Sequence, residues 1–169
     1  MKYLFTLLIL FLFTNSSQSQ TPTREETFNY ISNIINSSNG VTAITLNGGY
    51  TKVSNQLFSE TEIKYQKLIS MGSSQYSTNI FIATNIPWDA LDMKNSKIST
   101  VQSGTQITPI EIAFLGSFNA HIERSGGISY NQDLTMNRMT IYVRNDKVDN
   151  MYKALWHLEN ICKTDDPFD

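Results

Sequence analysis

Residues Lys147 to Cys162 read K-V-D-N-M-Y-K-A-L-W-H-L-E-N-I-C. Val148, Met151, Tyr152, Leu155, Leu158 and Ile161/Cys162 recur at three- and four-residue spacing, which puts them on one wide stripe of a helix. The spacing predicts a helix from about Asp146 to Lys163. Asp146 and Asp149 at its front and Lys163 at its back oppose the ends of the helix dipole, and Thr164-Asp165-Asp166-Pro167 ends it. A stripe this apolar needs a partner surface, and the preceding hundred residues supply one.

From Val41 to Arg144 the apolar period shortens to about two, with breaks at Gly, Asn, Ser and Pro clusters. The clearest alternation is Ile110, Ile112 and Phe114 against Glu111 and Ala113. Beyond Gly116, Phe118, Ala120 and Ile122 alternate with Asn119, His121 and Glu123. Met139, Ile141 and Val143 make the last strand, with Thr140, Tyr142 and Arg144 opposite. Upstream strands are expected over Val41–Leu46, Lys52–Ser59, Glu62–Ile69, Ser77–Asn85 and Lys97–Gln102. Short turns between successive strands imply an antiparallel meander of six or seven strands. Pro87 interrupts one of them because it offers no amide to a ladder.

Ahead of the strands, Thr23 and Glu26 have capping-box spacing, and Phe28, Ile31, Ile34 and Ile35 form one face of a helix that Asn39-Gly40 stops. Composition and order therefore predict one α+β domain over residues 20–169: an N-terminal helix, a six- or seven-stranded antiparallel roll or barrel, and a closing C-terminal helix. Leu155, Leu158, Ile112, Phe114, Ile141 and Val143 are its expected core.

Residues 1–19 carry Lys2, an uncharged run from Tyr3 to Thr14, and Ser17 and Ser19 at the exit, the pattern of a cleaved secretory signal peptide. The run is short of the ~20 apolar residues that span a bilayer. These features predict a soluble protein, secreted or periplasmic, with no transmembrane segment in the mature chain. The signal region holds no Cys, so no lipid anchor is expected. Losing Lys2 leaves 12 basic and 15 acidic groups, a formal charge of -3. Cations lie among acids, as in Glu62, Lys64 and Lys67 or Glu123 and Arg124, and no nucleic-acid partner is expected.

About 150 residues bury roughly 70% of their unfolded surface without a disulfide, and the single cysteine, Cys162, is expected in the core. His121 and Glu123 share a strand face but lack further ligands for a metal. His157 falls off the apolar stripe, about 140° round the helix from Cys162, too far for a nucleophile pair. No G-x-S-x-G elbow or phosphate loop occurs. Asp89, Asp92 and Glu111 would make a glycosidase-like acid group only if the Pro87-Trp88 turn folded over the sheet. No catalytic residue, metal or cofactor is assigned.

The order of elements, with Ile86–Met93 (I-P-W-D-A-L-D-M) and Lys147–Cys162, resembles the pleckstrin-homology-like fold, a bent seven-stranded roll plugged by a C-terminal helix, and segments of small exported uncharacterised proteins expected to adopt it. The resemblance covers the last two thirds of the chain, and the leading helix is an addition. It implies a fold that hosts binders of lipid, peptide and protein, and no particular ligand. Inositol-phosphate binding is not carried over, because the loop from Asn47 to Lys52 holds one cation.

The leading expectation is an exported, non-catalytic module that binds an extracytoplasmic protein or peptide at a sheet edge or in the groove beside the last helix. The alternative is capture of a small apolar ligand or lipid inside or at the mouth of the roll by Trp88, Phe81 and Phe118. A hydrolase using His121, Glu123, Asp89 and Glu111 ranks third.

Overall fold

A computed structural model describes residues 21–44, 49–70, 76–99 and 104–164. The export segment at residues 1–19 lies outside them. Helix α1 (Arg24–Asn36) starts at the expected capping box: Thr23 Oγ1 accepts from the Glu26 N–H at 3.2 Å, and Glu26 Oε2 accepts from the Thr23 N–H at 2.8 Å. The Thr23 N–H bond to the carboxylate, with the Thr23 hydroxyl beside it, holds the Glu26 carboxyl below the usual carboxylate range, so this stabilisation is present at neutral pH and lost as acid protonates the group. The helix buries Phe28, Ile31, Ile34 and Ile35, and Gly40 turns the chain at φ +79°.

Among the described residues seven strands follow: β1 (Thr42–Ile44), β2 (Tyr50–Phe58), β3 (Glu62–Ser70), β4 (Tyr76–Thr84), β5 (Lys97–Ile98), β6 (Ile107–Ser125) and β7 (Tyr130–Arg144). All pair antiparallel in one sheet, β1-β2-β3-β4-β6, with β7 along one side of β6 and β5 beside its first half. Helix α2 (Val148–Thr164) closes the chain, as its stripe predicts. Leu155 and Leu158 are fully buried with Ile110, Ile112, Phe114, Ile141 and Val143 in one core that also takes in α1. Each such leucine contributes about 2 kcal/mol of burial. Cys162 is buried on the same stripe.

Two strands differ from the sequence expectation. Gly116 does not end a strand: β6 runs through it, and the ladder with β7 shifts register between Ala113 and Phe118. The Pro87 ring sits against this irregular stretch, and a Cβ at Gly116 would lie 3.3 Å from Pro87 Cγ. The last strand begins at Tyr130, nine residues before Met139. Its first half is mostly exposed and polar, so apolar alternation gave no sign of it. Pairing with β6 is what makes it a strand.

The sheet curls into a half-barrel. β2 and β7 are separated by three strands in the ladder, yet the Gln56 side chain of β2 reaches Tyr142 of β7: Oε1 accepts from the Tyr142 N–H at 3.4 Å and Nε2 donates to the Tyr142 C=O at 3.2 Å. Asn55, at φ 53°, marks the bulge in β2 that turns Gln56 inward. Met139, Ile141 and Val143 join the core that holds both helices, while Tyr142 and Ile107, on the other face, pack with Val53 and Tyr65. Both faces of this end of the β6–β7 pair are covered.

Candidate functional site

Trp88, Phe81 and Phe118 are all interior, exposed by 3%, 5% and 1%. Trp88 lies in a single 3-10 turn (Trp88–Ala90), where its indole N–H donates to the Glu60 carbonyl at 2.7 Å. Its ring meets Phe28 edge-on at 5.0 Å, Phe58 at 5.4 Å and Phe114 at 5.7 Å, and Phe114 in turn meets Phe118 at 5.6 Å. Phe81 stacks instead on Tyr65 at 5.1 Å. Such offset and edge-on contacts are what aromatic quadrupoles favour in a packed core. The three rings fill the concave side with their neighbours and leave no face turned to solvent.

The acid and histidine candidates that form side-chain bonds each have another partner. His121 and Glu123 share the outer face of β6, but the partner of His121 is Asp133 across the β6–β7 ladder, with Nδ1 2.7 Å from Oδ1. This pair lines a shallow depression of about 390 Å³ with Ile82, Thr84, Asn119 and Thr135. Asp133 escaped sequence reading because its strand did. Glu111 pairs with Arg138 at 2.6 Å, and Asp89 is exposed. Asp92 accepts from the Asn95 side-chain amide at 2.7 Å, a bond that holds its carboxyl below the usual range. Among the described residues, no group of three or more His, Cys, Asp or Glu could hold a metal ion.

A buried carboxylate lies elsewhere. Glu159 of α2 accepts from the Met93 N–H at 3.3 Å and from Lys163 at 2.7 Å, tying the segment after Trp88 to the helix. It satisfies the Met93 amide, just beyond the turn that carries Trp88.

A groove runs beside α2. Thr21, Pro22, Glu26 and Tyr30 form one wall, Asn150, Lys153 and His157 the other, around a volume of about 720 Å³. His157 Nε2–H donates to the Pro22 carbonyl at 3.0 Å, fastening the leader across the helix. Tyr30 is 48% exposed there. No family model, curated protein or solved structure matches this chain. The groove offers the half-exposed ring of Tyr30 and a cation at Lys153, and its acid, Glu26, is held by Thr23. No helix among the described residues is long and apolar enough to cross a membrane.

Proposed function

We propose that this chain is an exported, non-catalytic module that binds a peptide or an extended protein segment in the groove between α1 and α2. The observation that carries the reading is the groove itself. Its volume of about 720 Å³ falls in the range of ligand clefts, roughly 300 to 1,000 Å³, and its walls stand on two helices anchored in the core. Tyr30 supplies a half-exposed ring of the kind that anchors interfaces. Export rests on the signal-like residues 1–19, and the resemblance to the pleckstrin-homology-like fold agrees with a binding role without naming a ligand.

The test is selection of random peptides on residues 20–169. Enriched peptides should lose about tenfold or more in affinity when Asn150→Trp fills the groove from an exposed position, a change equivalent to removing one interface anchor. Failure to enrich any peptide, or enrichment of peptides indifferent to Asn150→Trp, would contradict the proposal.

A further inference from the structure

The far end of the concave face carries a different chemistry. Lys67, Asn79 and Arg124 are cross-strand neighbours in one row of β3, β4 and β6. The adjoining row is Tyr65, Phe81 and Ile122, which touches the core, so the polar row faces the inside of the curl. Strand alternation sends Glu62, Lys64 and Glu123 to the opposite face. Lys67 and Arg124 therefore flank Asn79 in a row that holds no carboxylate.

Cover thins along the same face, from buried Ile63, Ala83 and Ala120 to half-buried Lys67, Asn79 and Arg124. Lys67 Nζ donates to the Tyr142 hydroxyl at 3.2 Å. Arg124 makes no ion pair among the described residues, and its Nε–H is buried without a partner. Asn79 Oδ1 and Ser77 Oγ are buried and unpartnered as well, and Ser77, next on the same face of β4, is only 7% exposed. Buried polar atoms are nearly always satisfied. Two of these orphans, the Arg124 Nε–H and the Ser77 hydroxyl, can donate, and Lys67 adds a second cation to the row, so a ligand that supplies acceptors would satisfy them.

We infer that this end of the concave face binds an oxyanion, a carboxylate or phosphate group, between Lys67, Arg124 and Ser77. Lys67 supplies charge, the Arg124 guanidinium a planar fork that matches a carboxylate or phosphate edge, and the Ser77 hydroxyl a further donor. Asn79 donates once its amide is turned end for end, an orientation that hydrogen bonding alone decides. Tyr65, Ile122 and Met136 are partly buried apolar side chains against the core, and they suit an anion carried on an apolar body. This site is separate from the interhelical groove and stands or falls independently of it.

Isothermal calorimetry of residues 20–169 with decanoate and with inorganic phosphate tests the site. At least one should bind, and its Kd should rise about tenfold or more in Lys67→Met and in Arg124→Met, the loss expected for one charged hydrogen-bond donor. Lys64→Met, on the opposite face, should leave it unchanged. Decanoate alone binding makes the ligand an amphiphilic acid, and phosphate binding equally well makes it the bare oxyanion. If Arg124→Met does not fold, as thermal unfolding would reveal, Ser77→Ala and Lys67→Gln carry the test. Absence of binding by both probes at millimolar concentration, or binding that these variants do not weaken, overturns the inference.

Discussion

Replacing Trp88 with alanine should cost about 4 kcal/mol of stability, the range for deleting a large buried aromatic. Its indole is enclosed by Phe28 of α1, Phe58 of β2 and Phe114 of β6, and it donates to the Glu60 carbonyl. Alanine removes the contact that joins helix, first strands and last strands, and leaves that carbonyl without its partner. A domain of this size has roughly 5 to 15 kcal/mol in total, so the variant should lose a large part of its unfolding midpoint in urea. A loss under about 1 kcal/mol would place Trp88 outside the core.

The second large effect is expected at Gln56. Its side chain acts as a stretch of strand for Tyr142, answering both the N–H and the C=O on the free edge of β7, and Nε2 also donates to the Ile35 carbonyl of α1 at 3.4 Å. Leucine is similar in size but offers no polar atom, so Gln56→Leu leaves the buried Tyr142 N–H and C=O unmatched, while the Ile35 carbonyl keeps the Ser38 N–H at 2.9 Å. At about 1 kcal/mol or more for each, the loss should be about 2 kcal/mol. Leu57→Ala, at the neighbouring exposed position, should stay within about 0.5 kcal/mol. Urea unfolding of both variants checks the contrast. Equal losses at the two positions would mean that side-chain closure by Gln56 does not hold the curl.

Much of this architecture is legible in the sequence because burial imposes periodicity. The stripe from Val148 to Cys162 and the alternation at Ile110, Ile112 and Phe114 report which faces meet the core, and the Thr23 and Glu26 pair reports where α1 begins. Features made by pairing alone leave no such mark. The first half of β7 is polar and exposed, so neither the strand nor the His121–Asp133 contact could be anticipated. Gln56 reads as an ordinary polar residue until a bulge turns it inward.

The charges show the same limit. In order along the chain, Glu62, Lys64 and Lys67 look like a mixed solvated surface, as do Glu123 and Arg124. Folding sorts them by parity, so Lys67 and Arg124 share the concave face and the acids do not. The aromatic candidates went the other way. Trp88, Phe81 and Phe118 read as rings available to a ligand, yet each is taken up by a neighbour that only the tertiary fold supplies.

The central claim is that the curled sheet is filled by the chain's own aromatic and aliphatic side chains and sealed by the last helix. Iodide quenching of Trp88 fluorescence in a Trp156→Phe variant tests it most directly, since Trp156 is 39% exposed and Trp88 only 3%. The emission should be blue-shifted and hardly quenched by iodide until the protein unfolds. Emission and quenching like those of the unfolded chain, measured on the native protein, would contradict it.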